Sequence, residues 1–130
     1  MEKKDLKPAG VFKYFEEICQ VPRPSKKEEK IIAYLKAFGA KHNLETKVDE
    51  AGNVLIKKPA TPGKENLQTV VLQSHIDMVC EKNNDIQHDF LTDPIETEID
   101  GEWLKAKGTT LGADNGIGVR SEERRVGKEC

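Results

Sequence analysis

The sequence predicts an α/β fold in which a mixed central sheet is flanked by helices. Three observations carry this prediction: two amphipathic helical patterns near the start, a short continuous apolar run at 69–75, and a hairpin pattern on either side of that run. The short, β-branched run is typical of a strand buried on both faces of an α/β sheet. With 130 residues, the chain is long enough for one domain with a modest core.

The two helical patterns come first along the chain. Apolar residues at helical spacing predict a helix between Pro8 and Gln20, which the following prolines end. Ser25 stands three residues before Glu28, the spacing of a capping box, and this predicts the start of a second helix. That helix is expected to weaken or end by Asn43.

Both hairpin patterns consist of two short strand-like runs separated by a tight turn. The runs lie at 44–48 and 53–58 in the first hairpin and at 94–99 and 102–106 in the second. Between the last two runs, Asp100-Gly101 is a strong turn signal. A glycine-rich segment at 107–116 then leads toward a third helix, which completes the predicted order of elements.

Composition excludes several classes of protein. The net charge is −2, from 21 basic and 23 acidic residues that are interspersed, so no basic surface for nucleic acid is predicted. No apolar stretch approaches the roughly 18 residues of a membrane span, and the polar start predicts no signal peptide. The three cysteines (Cys19, Cys80 and Cys130) have no zinc-finger spacing, so we expect a reducing, cytoplasmic location without a disulfide framework.

The last eleven residues differ in character from those before them. Residues 120–130 are highly charged, with one aliphatic residue and no amphipathic period, whereas the sequence ending at Val119 has the pattern of a buried helix. We interpret 1–119 as native sequence and 120–130 as a non-native tail encoded by a sequencing adapter. We therefore expect the natural gene to continue differently after Val119. A short solvated tail is the alternative, and neither interpretation gives these residues a function.

Three residues are candidates for chemistry. His75 and Asp77 follow the predicted core strand, at the edge where open α/β sheets place their ligands. Side chains two residues apart in an extended chain point the same way. The Asp77 carboxylate can therefore orient the imidazole of His75 through one ring nitrogen, while the other ring nitrogen binds a metal. Alone this pattern is weak, because many histidines only satisfy local hydrogen bonds. Asp114 could bridge two divalent ions, or it could form an Asx turn that caps the next helix.

Two motifs make the pattern specific. LQSHIDMVCEK at 72–82 and TTLGADNGIG at 109–118, together with VPRPS at 21–25, resemble the aminoacyl-histidine dipeptidases, also called cytosol non-specific dipeptidases. This family is a branch of the co-catalytic zinc peptidase superfamily. The resemblance covers essentially all of residues 1–119, and the run from Met78 to Lys82 is characteristic of this branch.

The resemblance implies a role for each candidate. His75 would be a ligand of one metal, Asp114 would bridge both metals, and Asp77 would be the carboxylate, counted as catalytic in the family, that orients His75. The implied cofactors are two divalent ions, zinc first, with manganese and cobalt as alternatives. The resemblance also implies a cis peptide bond between Asp114 and Asn115.

The resemblance also implies parts that this chain lacks. The family uses a Glu-Glu pair, a further acidic ligand, a distant histidine and an inserted second domain; Glu122-Glu123 comes too early and lies in the suspected tail. We therefore expect the N-terminal part of a zinc-peptidase-like catalytic domain that is inactive by itself. The full-length protein is expected to be a homodimeric cytoplasmic dipeptidase acting on Xaa-His or on many dipeptides. A related deacylase or tripeptidase, and a non-catalytic fragment or binding module, remain the alternatives.

Overall fold

The structure, a computed structural model, describes residues 2–127. After a short 3-10 helix at Lys3–Asp5, two helices are followed by two hairpins and then by a third helix. In chain order they are α1 (Ala9–Cys19), α2 (Glu29–Lys41), β1 (Glu45–Val48), β2 (Val54–Lys57), β3 (Thr97–Asp100), β4 (Trp103–Ala106) and α3 (Ala113–Gly127). The predicted α/β class is confirmed, as are the two early helices and both hairpins.

The strands form two separate antiparallel hairpins. β1 pairs with β2, and β3 pairs with β4 in a register that places Asp100 opposite Trp103. The second turn is therefore Gly101-Glu102, one residue later than predicted, and Gly101 takes the positive φ of +60° that glycine tolerates. Within residues 2–127 the two hairpins share no strand, so the predicted mixed central sheet is not formed there.

The predicted core strand at 69–75 is the main error. The structure shows no strand over these residues, and Val70 and Val71 are 80% and 78% exposed. A strand buried on both faces needs hydrogen-bonded neighbours and a layer of structure above and below it. In the part of the chain that the structure describes, no strand pairs with 69–75.

The core lies around α1, which contributes to two apolar clusters. One cluster joins α1 to the loops that follow His75 and precede β3, through Phe15, Cys19, Met78 and Ile95. The other joins the three helices through Ile18, Ile31, Leu35 and Val119. Because one face of α1 supplies residues to both clusters, it fixes α2 and α3 relative to the segment that carries His75.

The capping box predicted at Ser25 is not formed. α2 begins at Glu29, and its start receives no side-chain cap. The Ser25 hydroxyl instead donates a hydrogen bond to Asp77 Oδ2 at 2.5 Å, while Glu28 accepts one from the backbone of Lys26. The serine that resembles a helix cap in the sequence therefore belongs to the candidate site.

Helix α3 continues into the segment interpreted as a tail. Arg120 is fully buried, with its guanidinium carbon 3.9 Å from the ring centroid of Tyr14 and its Nη1 donating to the Tyr34 hydroxyl at 3.1 Å. A solvated tail is thus wrong for this residue. The non-native origin of residues 120–130 stays a prediction, and 128–130 lie outside the described residues. Among residues 2–127, no helix has the length and apolar character needed to cross a bilayer.

Candidate metal centre

The structure brings the three predicted site residues together. His75 Nε2 lies 2.9 Å from Asp114 Oδ1, although the two residues are 39 positions apart in sequence. The other ring nitrogen, Nδ1, lies 3.0 Å from Asp77 Oδ1. The imidazole therefore stands between the two carboxylates, one at each nitrogen.

Asp77 is held from its far side. Its Oδ2 accepts the hydrogen bond from Ser25 while Oδ1 faces the imidazole. The Ser25 hydrogen bond, followed by the weaker effect of His75, holds the pKa of Asp77 below its ordinary value. An ionised Asp77 accepts the Nδ1 proton of His75, which leaves the lone pair of Nε2 directed at Asp114.

The contact between His75 and Asp114 calls for a positive charge. When Asp77 accepts the Nδ1 proton of a neutral imidazole, Nε2 and Asp114 Oδ1 are both acceptors, and two acceptors at 2.9 Å need a cation between or on them. Without a metal ion a proton fills this role, and the hydrogen bond to Asp114 raises the pKa of His75 above its ordinary value. A divalent ion would satisfy the same two atoms.

The distances suit a metal ion with little adjustment. Two ligand atoms about 2.0–2.1 Å from a tetrahedral zinc ion are roughly 3.3 Å apart. The observed 2.9 Å would have to widen by only a few tenths of an ångström. The side chain of Asp114 is 96% exposed, so no packing opposes that movement.

The candidate ligands are fewer than a closed site needs. Within residues 2–127, no group of three or more His, Cys, Asp or Glu side chains is arranged to hold a metal ion. Asp77 serves the far nitrogen of the ring, so His75 and Asp114 supply two ligand atoms. Tetrahedral zinc takes four. The residues fit part of a metal site, and their individual roles stay predictions.

Asp114 is directed at His75 because its backbone leaves the helical path. Asp114 and Asn115 have non-helical torsions at the start of α3, and the peptide bond between them is cis, as the resemblance implied. The side chain of Asn115 accepts a hydrogen bond from the backbone of Gly118 at 3.2 Å. The helix-capping role considered for Asp114 is thus filled by its neighbour, and the Asp114 carboxylate is left for the site.

Backbone pairing aligns the two segments that carry the candidates. Lys82 and Thr109 form an isolated antiparallel bridge, and the backbone N–H of Asn83 donates to Gly108 O at 2.8 Å. The Thr110 hydroxyl donates to Val79 O, also at 2.8 Å. The chain that leaves His75 therefore runs beside the chain that approaches Asp114.

Sequence reasoning missed two residues that organise this site. Ser25 was assigned to a helix cap, and Arg23 was given no role. Arg23 is only 2% exposed, and it donates hydrogen bonds to backbone carbonyls on both sides of the site. The signal that could have indicated them was their position in the VPRPS motif at 21–25, which itself carries part of the resemblance.

Comparison with known proteins supports the resemblance described from the sequence. No family model matches the chain. The chain is 51% identical over 120 residues to a protein of Escherichia coli K12 named cytosol non-specific dipeptidase, an alignment that covers 92% of this chain and 25% of that protein. The predicted resemblance to the cytosol non-specific dipeptidases is confirmed.

Solved structures show the same likeness. The crystal structure of aminoacylhistidine dipeptidase from Vibrio alginolyticus matches with a TM-score of 0.93 and 51% identity, over 98% of this chain and 26% of that one. A tripeptidase from Staphylococcus aureus matches with a TM-score of 0.70 over 88% of this chain and 30% of its own, but at 20% identity it shows the fold alone. The chain thus spans about a quarter of the length of the dipeptidases that it resembles.

Proposed function

We propose that this chain is the N-terminal part of a metal-dependent cytoplasmic dipeptidase that hydrolyses Xaa-His or a broader range of dipeptides. The contact between His75 Nε2 and Asp114 Oδ1, with Asp77 on the opposite ring nitrogen, carries the proposal. Similarity to two dipeptidases at 51% identity supports the substrate class. The name of the Escherichia coli relative supports the cytoplasmic location.

The metal would be held by His75 and by the carboxylate of Asp114. Zinc is the first choice, with manganese and cobalt as alternatives, because imidazole and carboxylate ligands do not discriminate sharply among these ions. Two divalent ions, when held by these residues, would supply polarisation of a scissile carbonyl and a lower pKa for a bound water molecule. The remaining ligands and the general-base glutamate are proposed to lie in polypeptide that follows Val119 in the complete protein.

The residues of this chain contribute orientation and charge. Asp77 keeps the proton of His75 on Nδ1, so that Nε2 stays available as a ligand. Asp114 contributes a negative charge that offsets part of the positive charge of two ions. Because Asp114 and half of the His75 side chain are exposed, both can be approached by substrate and by residues from elsewhere in the complete protein.

Two other functions were considered from the sequence. A deacylase or tripeptidase of the same superfamily would use the same ligands. The run from Met78 to Lys82 favours a dipeptidase instead. The likeness to the Staphylococcus aureus tripeptidase concerns the fold alone. A non-catalytic binding module would not need an imidazole placed between two carboxylates. Homodimerisation of the complete protein stays a prediction from the resemblance.

The test requires the gene that contains residues 1–119 with its own continuation. We expect the complete protein to hydrolyse Xaa-His dipeptides, to lose this activity with a chelator, and to recover it with Zn²⁺ or Mn²⁺. His75→Ala and Asp114→Ala should each abolish the activity, whereas the control His42→Ala, in a histidine packed on Phe38, should retain it. The 130-residue chain itself should show no activity above a blank.

Two results would contradict the proposal. One is a complete protein that binds no divalent ion and cleaves no dipeptide. The other is retention of full activity by both His75→Ala and Asp114→Ala. The separate proposal that residues 120–130 are non-native is tested by the nucleotide sequence behind them, and genomic sequence that encodes these residues would end it.

A further inference from the structure

Arg23 contacts both segments that carry the candidate ligands. Its Nη1 donates to Ile76 O and to Asp77 O, each at 3.3 Å, and its Nη2 donates to Gly112 O at 2.7 Å. The first two carbonyls directly follow His75 in the chain, and the third lies two residues before Asp114. One side chain thus connects, through three hydrogen bonds, loops that are far apart in sequence.

The backbone of Arg23 is tied to the same place. Met78 N donates to Arg23 O at 3.0 Å, and Pro24 forms a parallel bridge with Met78. The next residue, Ser25, donates to Asp77. The three consecutive positions 23–25 therefore each contact the segment 76–78, and the guanidinium extends from there to the loop before α3.

The loop before α3 is packed directly onto the guanidinium. A β-carbon placed on Gly112 would stand 2.6 Å from Arg23 Nη2, and one on Gly116 would stand 2.7 Å from it. Gly112 also has a positive φ of +74°. Because the side chain of Arg23 is buried and its N–H groups have fixed directions, it can hold the backbone on either side of Asp114 in one arrangement.

We infer that Arg23 is a positioning residue that sets the distance between His75 and Asp114, and this inference rests on the proposed metal-dependent function. Its guanidinium connects the carbonyls that follow His75 to the carbonyl of Gly112. Lysine at this position could not replace it fully, because a single ammonium lacks the planar fork that reaches two directions at once.

The first experiment uses the metal-free 130-residue chain, so it does not depend on catalysis. Nuclear Overhauser effects between the ring protons of His75 and the methylene of Asp114 report their proximity. We expect Arg23→Met to lose these signals and Arg23→Lys to weaken them. The matched control is Arg120→Met, which removes the other buried arginine, one that contacts Tyr14 and Tyr34 rather than the site. That variant should keep the signals.

The second experiment uses the complete dipeptidase and measures its affinity for Co²⁺, the absorption spectrum of the bound ion, and steady-state kinetics. Arg23→Met should weaken Co²⁺ binding by about 10–100-fold, as loss of an orienting partner does at metal sites. It should lower kcat by a similar factor while KM changes less than about twofold. Arg23→Lys should recover part of both. Phe38→Ala, a buried substitution in α2 outside both apolar clusters, controls for lost stability and should change Co²⁺ affinity less than about twofold.

The results separate the two proposals. If the complete wild-type protein binds no Co²⁺ and cleaves no dipeptide, the proposed function fails, and the metal-free spectra still decide the role of Arg23. Retention of the wild-type signals in a folded Arg23→Met chain overturns the inference. If Arg23→Met does not fold, Arg23→Lys decides instead: wild-type signals and wild-type Co²⁺ affinity in that variant overturn it, and a loss in both supports it.

Discussion

Two regions of this chain are similarly apolar in sequence and opposite in structure. On the packed face of α1, Phe15 and Ile18 are each at most 1% exposed. In the apolar segment, defined here as residues 67–72, each Leu and Val is between 53% and 80% exposed. The helical region has its partners within residues 2–127, because α1, α2 and α3 cover one another. Neither apolar cluster described there includes a residue of the apolar segment. The difference teaches that hydrophobicity sets the tendency to be buried, and that burial depends on partners.

The candidate site lies at the boundary between these regions. His75 follows the apolar segment, yet every contact described for its ring comes from residues C-terminal to it, namely Asp77 and Asp114. Asp77 and the loop of Asp114 are in turn fixed by the region packed on α1, through Arg23 and Met78. The packed region therefore positions the site from one side, and the apolar segment supplies none of the contacts described for the ring.

The largest expected effect is the chemical protection of Cys19 in the packed region. Burial, with a smaller contribution from Glu16, raises the pKa of Cys19 from 9.0 to about 12. At pH 8 its thiolate population should be about a thousandfold smaller than in the unfolded chain, so alkylation should slow by at least that factor. Mass spectrometry of iodoacetamide-treated peptides, native and in urea, measures the ratio. Equal rates in both states would show that α1 is not packed as described.

The same thiol gives a pH dependence of stability. The pKa of Cys19 is higher in the folded chain than in the unfolded one, so its contribution is fully present below about pH 9 and is lost as the pH rises toward 12. Cys19→Ala should remove this part of the alkaline decline in urea midpoint. An unchanged alkaline slope in the variant would argue against a buried thiol.

The next effect concerns equivalent truncations in the two regions. Phe15→Ala should lower the free energy of unfolding by about 3–5 kcal/mol, because Phe15 is fully buried against Cys19 and Met78. Val71→Ala should change it by less than about 0.5 kcal/mol, because Val71 is already in solvent. Urea unfolding followed by circular dichroism compares them. Similar losses in the two variants would show that the apolar segment is packed in solution.

A smaller effect is expected at the boundary, in the complete protein. Asp77→Asn should weaken metal binding by about 10–100-fold, equivalent to about 1.4–2.7 kcal/mol, because an amide orients the imidazole less well than a carboxylate. Asp49→Asn is the matched control, since Asp49 also accepts hydrogen bonds but lies in the turn between β1 and β2. Competition with a fluorescent zinc chelator provides the measurement. Equal metal affinities for Asp77→Asn and wild type would show that Asp77 does not orient His75 for metal binding.

The smallest effect is the near absence of protection in the apolar segment. Backbone amides at 70–72 should exchange with solvent close to the rate of an unstructured peptide, while those in the middle of α1 exchange slowly. In the complete protein the same three amides should become protected, because strand neighbours would accept their hydrogen bonds. Hydrogen exchange read by mass spectrometry makes both measurements. Fast exchange at 70–72 in the complete protein would refute the predicted core strand there too.

Local patterns predicted the fold better than they predicted its contacts. Helical spacing identified α1 and α2, and turn residues identified both hairpins, because those signals lie within a few residues of one another. The strand at 69–75 failed because strand pairing is non-local. The capping box predicted at Ser25 was also wrong because the real contact is non-local. The spacing of Ser25 to Glu28 fits a helix cap, but its hydrogen-bond acceptor, Asp77, is 52 residues away.

The candidate site was predicted from chemistry and resemblance together. His75 and Asp77 follow from the geometry of an extended chain, and Asp114 was added by its motif. Apart from the place of Arg23 in the VPRPS motif, no sequence pattern indicates that a buried arginine connects them, because the acceptors of Arg23 are backbone carbonyls, which every residue has. A charged residue between two prolines offered no periodicity from which its burial could be inferred.

The packing of Gly116 against Arg23 constrains how this protein can diverge. Its backbone torsions do not require glycine, but a methyl group there would stand 2.7 Å from the guanidinium and 3.0 Å from the ring of Phe15. Alanine at position 116 should therefore be tolerated only in a lineage in which a residue with a shorter side chain has already replaced Arg23. The two positions are expected to vary as a pair, with the arginine changing first.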